Sequence, residues 1–319
     1  MRVRISVLGL LPVGLATVFV ATFLAACGGG GGGTNPPLSD NDLITRSAQE
    51  GSSTTGGTTQ YVRRLLRGLP TSTGPLSRSR QASQCPRVNI TTQRGARQVG
   101  DFYYVEELAW TVDYGNGCVD EFGDYGRGSG TVRMTNVVMY IPAFFPDNGP
   151  RFGEQYVFET AEIRTQGFAW DQSMRPVAGY ISIAVNHTDS TVRSIDLEYD
   201  LTTRYSSSCA ERVQFSGTIE ASDFVNWLFG DTYVFVDGAG SYSSPLTGTL
   251  GFRVDYTFRL SDDCPYPSGG SEVISFRGGT ARVEYDTDNL GCGRATLTIN
   301  NGSPITINLN NLAGITPCR

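Results

Sequence analysis

The sequence predicts an all-β protein: an antiparallel meander of long hairpins that forms a sandwich or an open barrel, braced by disulfides. Three observations lead there. Beyond Cys85, apolar and polar residues alternate in stretch after stretch, the period of a strand with one wet face. Helical periodicity is nearly absent from that region. The 319 residues also include 39 Gly and 15 Pro, as a chain with many turns requires.

At the amino end, Arg2 and Arg4 precede an apolar run from Ile5 to Ala26, the layout of a secretory signal over 1–26. An uncleaved membrane helix is the rival reading, since the run is long enough to span a bilayer. Pro12 and Gly14 interrupt it, and small residues end it just before a cysteine. Leu24-Ala25-Ala26-Cys27 resembles the lipobox of bacterial lipoproteins. That resemblance implies cleavage before Cys27 and its modification with diacylglycerol and an N-acyl chain, palmitate being typical. Each buried methylene would contribute about 0.8 kcal/mol to membrane attachment. Gly28, rather than Asp, follows the cysteine, which in that class implies export to the outer membrane, with the body periplasmic or surface-exposed.

Residues 27–84 are rich in Gly, Ser, Thr and Pro and are expected to form a flexible tether. Within it a short helix is predicted over 60–69, where Val62, Leu65, Leu66 and Leu69 follow helical spacing and Arg63, Arg64 and Arg67 face elsewhere. It could rest on anionic lipid, pack on the β domain or stay disordered.

The β domain is expected over 85–319. Its clearest strand has Leu250, Phe252, Val254, Tyr256, Phe258 and Leu260 on one face. Leu108-Trp110-Val112-Tyr114, Ile181-Ile183-Val185 and Ile195-Leu197-Tyr199-Leu201 repeat the alternation. Asn301-Gly302 between two alternating runs predicts a hairpin. The phase slips after Met134, which predicts a bulge or break near Thr135-Asn136. Ala221 to Phe229 is the one helix candidate. An aliphatic–acid–Tyr pattern recurs at Tyr114, Tyr199, Tyr256 and Tyr285, with spacings near multiples of 28 residues. It predicts repeated hairpins in which each Tyr is buried and each acid exposed.

Six cysteines besides Cys27 suit an exported, disulfide-bonded chain. Cys85-Pro86 leads to Val112-Asp113-Tyr114 and then Cys118; Cys264-Pro265 leads to Val283-Glu284-Tyr285 and then Cys292. The parallel predicts Cys85–Cys118 and Cys264–Cys292, and elimination leaves Cys209–Cys318. The segments 85–132 and 264–309 also resemble a group of uncharacterised exported bacterial β lipoproteins. The likeness rests on Thr111 to Cys118 with Gly130-Thr131-Val132, and on the hairpin from Gly291-Cys292 to Asn301-Gly302. It covers under half of the mature chain. Its motifs are turn chemistry, and it implies no reaction.

All 25 basic residues are Arg, against 31 acids. A net charge of -6 argues against nucleic acid as a partner. The absence of Lys excludes Schiff-base chemistry, Ser-Lys dyads and the P-loop. A single His, His187 in Asn186-His187-Thr188-Asp189, reads as a turn residue, with no G-x-S-x-G elbow to pair with. No CxxC spacing marks a zinc site. Asp286-Thr287-Asp288-Asn289 offers closely spaced oxygens for calcium, with Asp286, Asp288 and Asn289 as ligands, but lacks the EF-hand pattern. Acids cluster at Asp113, Asp120, Glu121, Asp124, Asp262 and Asp263, where solvated turns are the plain reading. Trp110 falls on a core face; Trp170, Trp227 and Phe144-Phe145 fall nearer loops.

The expectation is a membrane-anchored envelope lipoprotein without catalysis or cofactor. It would have a binding or structural role and an envelope protein or glycan as partner. A carrier of an apolar or acyl ligand would need a wide apolar cavity within the sheet. A glycan-active enzyme would need two facing carboxylates roughly 5–10 Å apart.

Overall fold

The computed structural model describes residues 39–67, 85–100, 102–119, 125–140, 156–169, 175–188, 191–221, 233–259, 264–310 and 318. Among the described residues, fifteen strands form one antiparallel sheet. Its main path runs in chain order: β1 (Arg87–Arg94), β3 (Phe102–Val119), β4 (Tyr125–Tyr140), β6 (Thr160–Ala169), β7 (Val177–Thr188), β8 (Thr191–Ser206) and β9 (Cys209–Ala221). It continues through β10 (Tyr233–Ser244), β11 (Gly248–Arg259), β12 (Gly269–Phe276), β13 (Gly279–Asp286), β14 (Arg294–Ile299) and β15 (Ile305–Asn308). Two short strands flank this path: β2 (Arg97–Val99) beside β3 and β5 (Tyr156–Val157) beside β4. The sheet is a meander and is not closed into a barrel: β1 and β15 do not pair among the described residues.

Strand alternation decides the two faces. Leu250, Phe252, Val254, Tyr256 and Phe258 are buried, while Arg253, Asp255 and Arg259 are exposed. Trp110 belongs to the core. Tyr114, Tyr199, Tyr256 and Tyr285 are all buried, and the acids before them, Asp113, Glu198, Asp255 and Glu284, are all exposed or half-buried on the other face. The phase slip at Asn136 is real, but the register does not shift there: Val105 pairs with Val137 and Glu107 with Thr135. Both strands turn over at one level, and Asn136 takes a left-handed φ of 49°.

The expected tether is corrected over 40–67. Helix α1 spans Asp40–Arg67, starting well before the helix expected at 60–69. Ser39 and Asp42 cap it reciprocally: the Asp42 N–H donates to Ser39 Oγ (3.3 Å), and the Ser39 N–H donates to Asp42 Oδ2 (3.2 Å). From Thr54 to Thr59 every residue is buried, although six successive helical positions point to all sides. The helix is therefore enclosed by the sheet. Thr55 bonds Tyr199 of β8 at 2.7 Å, while Ser52, one turn away, lies beside the Tyr285 hydroxyl of β13. Those strands are five steps apart, about 24 Å in a flat sheet. The sheet must curl around α1 to reach both.

Composition hid this helix because Ser, Thr and Gly are weak helix formers. Inside the sheet they act as small residues; the hydroxyls of Ser52, Thr55 and Thr59 are satisfied within the helix, while those of Ser47 and Thr58 are buried without a hydrogen-bond partner. Ser52 donates to the Ala48 carbonyl (2.5 Å), Thr55 to Gly51 (2.7 Å) and Thr59 to Thr55 (2.9 Å). At Gly56, a Cβ would come within 2.5 Å of the Pro265 carbonyl and 2.8 Å of Phe258, so only glycine permits this approach.

Three disulfides join Cys85–Cys118, Cys209–Cys318 and Cys264–Cys292, the pairs that the duplicated spacing and elimination predict. The final hairpin forms, but its turn centres on Asn300-Asn301, both left-handed, with the Gly302 N–H donating to the Ile299 carbonyl. The Asn-Gly pair is thus displaced by one residue from the centre of the turn. The helix candidate at 221–229 lies outside the described residues, apart from Ala221 at the end of β9.

Candidate functional site

Two polar centres are buried between α1 and the concave face of the sheet. The first gathers on Glu211, which stands in phase with Cys209, Val213 and Phe215 and so faces inward. Arg46 of α1 donates Nε to Glu211 Oε1 and Nη2 to Oε2, both at 2.8 Å. Tyr205 donates to Oε2 and Tyr242 to Oε1 of the same carboxylate. Arg46 also pairs with Glu50 one turn along the helix, at 2.9 Å. Burial drives the Glu50 carboxyl above the usual carboxylate range, and the neighbouring Glu211 charge adds to the rise; Arg46 and Arg175 oppose it.

The second centre is Glu272, fully buried and in phase with Ile274. Its Oε2 accepts from Tyr256 (2.8 Å) and Tyr285 (3.0 Å), while Oε1 has no hydrogen-bond partner. Desolvation pushes this carboxyl up to about 8, against the two tyrosine hydroxyls. Glu272 is therefore mostly protonated at neutral pH. Glu50, Glu211 and Glu272 were missed by pattern reading. For the last two a signal existed: an acid standing in the apolar phase of a strand has to find a buried partner.

On the outer face, the described residues include a groove of about 760 Å³ across β3, β4, β6 and β7. Register shifts fall at one level in three successive strand pairs, at Asp113/Gly115, Arg127/Ser129 and Thr165/Phe168. Such bulges bend strands and increase local twist. Gly128 there has φ 84°, and a Cβ on it would come 2.2 Å from the Gly167 carbonyl oxygen.

The residues singled out in the sequence are not brought together into one site. Asp286 caps the short helix α2 (Thr287–Leu290), accepting from the Asn289 N–H at 3.2 Å and its side-chain amide at 2.6 Å. The calcium candidates Asp286, Asp288 and Asn289 thus lie in and around this cap, where each Asp286 oxygen accepts one hydrogen bond from Asn289. Among the described residues no cluster of three His, Cys, Asp or Glu could hold a metal. His187 lies within β7, with Val192 as its register partner, rather than in the turn itself. Asp113 accepts from the Gly115 N–H at 2.8 Å, an Asx-type turn. Cys27, Asp120, Glu121, Asp124, Phe144, Phe145, Trp170, Asp189, Trp227, Asp262 and Asp263 lie outside the described residues.

The fold and its buried centres define an all-β protein whose single curled sheet holds a polar helix. No protein-family model, curated protein or solved structure matches the chain.

Proposed function

We propose that this chain is a lipid-anchored protein of the bacterial cell envelope, held at the outer membrane through Cys27, that acts without catalysis as a binding or structural module. The observation that carries the reading of a binding or structural module, rather than a carrier of an internal ligand, is the placement of α1. The helix occupies the concave face of the sheet, where an apolar or acyl ligand would have to lie, and is buried on every side from Thr54 to Thr59. The Glu211 carboxylate inside serves the fold. Both oxygens of Glu211 accept from Arg46 and from a tyrosine, which leaves no lone pair free for proton transfer to a substrate.

Export is supported by the three disulfides, which form in oxidising compartments. Anchoring is supported by the lipobox-like Leu24-Ala25-Ala26-Cys27. Cys27→Ser tests it by fractionation and by mass spectrometry of the amino end. Release of the variant into the soluble fraction, with an acylated terminus in the parent, is expected. Continued membrane retention of the variant would defeat the anchoring claim.

A further inference from the structure

We infer that the outer-face groove across β3, β4, β6 and β7 is a binding site for a neutral, hydroxyl-rich ligand, a short stretch of glycan chain. The inference deepens the binding role proposed above and rests on its non-catalytic reading. Thr111, Thr131, Arg164 and Tyr180 stand side by side in register across the four strands, and Asp113, Ser129 and Gln166 form a second row one pleat away. All seven line the groove. At the positions between them, Gly130 and Gly179 present only backbone to a ligand. A Cβ on Gly179 would come 2.0 Å from the Asp200 carbonyl oxygen, so no other residue fits there.

The chemistry of this lining selects the ligand. Hydroxyls, an amide and one aromatic ring converge on a floor of small residues, the kit that recognises sugar hydroxyls and the apolar face of a sugar ring. The lining carries one acid, Asp113, and one base, Arg164, which is bonded to Glu162 at 2.7 Å. An anionic ligand would therefore find no unpaired cation in this lining. Tyr180 is fixed by its hydrogen bond to Glu198 (2.9 Å), so its ring offers a surface that loses little freedom on binding. The site is built on strands rather than loops and is formed in advance. Its volume lies within the range of small-ligand sites, about 300–1,000 Å³.

The test is calorimetric titration of the full chain in detergent with chitotriose, cellotriose and maltotriose. Saturable binding of at least one is expected, at one site, and largely insensitive to salt. Tyr180→Ala and, separately, Gln166→Ala should weaken it about tenfold, and Ser129→Tyr should block it. Each variant is first checked for an unchanged circular dichroism spectrum and melting profile. The two alanine variants, at exposed Gln166 and half-buried Tyr180, keep the result readable if Ser129→Tyr disturbs the sheet. Absence of binding by all three sugars at millimolar concentration would overturn the inference. So would wild-type affinity in both alanine variants, or binding that vanishes in high salt. Shortening of the bound oligosaccharide would uphold the groove and overturn the non-catalytic reading instead. Membrane retention of Cys27→Ser bears on the anchor alone.

Discussion

Arg46 on α1 and Glu211 on β9 meet through two parallel hydrogen bonds of 2.8 Å across 165 residues of chain. The contact is buried, bidentate and charge-assisted, and it fastens the polar helix to the middle of the sheet. Removing one partner strands the other charge in a low-dielectric interior. Arg46→Met is expected to destabilise the protein by about 3–5 kcal/mol in urea unfolding. Combining it with Glu211→Gln should recover part of the loss, because Glu211 no longer carries a charge to strand; Glu50 still lacks its Arg46 partner, so the recovery is incomplete. A double variant as unstable as the sum of the singles would show that the pair is not coupled.

Glu272 predicts a pH dependence. Burial raises its folded pKa from the ordinary 4.5 to about 8. Between these values the native state binds more protons than the unfolded state, so stability falls as pH rises. The contribution is fully present below about 4.5 and is lost as pH passes 8. Glu272→Gln keeps the shape and the acceptor for Tyr256 and Tyr285 but cannot ionise. Unfolding measured at several pH values should show a shallower decline in the variant, by up to about 1.4 kcal/mol per pH unit. Parallel curves for the two proteins would refute the assignment.

Gly56 tests the closeness of helix and sheet. In an isolated helix, Gly→Ala is stabilising by about 1 kcal/mol. Here the new methyl would meet the Pro265 carbonyl at 2.5 Å and Phe258 at 2.8 Å. Gly56→Ala is therefore expected to destabilise by about 1–3 kcal/mol, against the propensity scale. A gain in melting temperature would mean that α1 is not packed this way.

The disulfides differ in the loops they close. Cys209–Cys318 spans 109 residues and Cys264–Cys292 spans 28. In the chain-entropy account, replacing both members of the longer bridge by alanine should be more destabilising than the same change in the shorter, by about 1 kcal/mol. Equal losses in chemical denaturation would show that native packing, rather than loop closure, sets their worth.

The strands were legible because alternation records a sheet with one wet face at every position. Leu250 to Phe258 shows its buried side without any knowledge of its neighbours. The cysteine pairs were legible because a repeated spacing places Cys85 and Cys118 as it places Cys264 and Cys292. Helix α1 was not legible. Its Ser, Thr and Gly residues lack an apolar stripe, and their fitness for the interior comes from hydroxyl bonds to carbonyls four residues back. Nor was the groove, which depends on bulges in three strand pairs falling at one level.

Local pattern alone thus determined the strand faces, the inward turn of each repeated tyrosine and the partners of the six body cysteines. These follow from a two-residue period and from spacing, which the chain carries in itself. What the tertiary structure decided was the occupant of the concave face and the fate of the buried acids. Arg46 reaches Glu211, and Gly51 lies against Glu272 and Phe252, through residues far apart in sequence. A small polar helix becomes a core element when a curled sheet excludes water from all its sides.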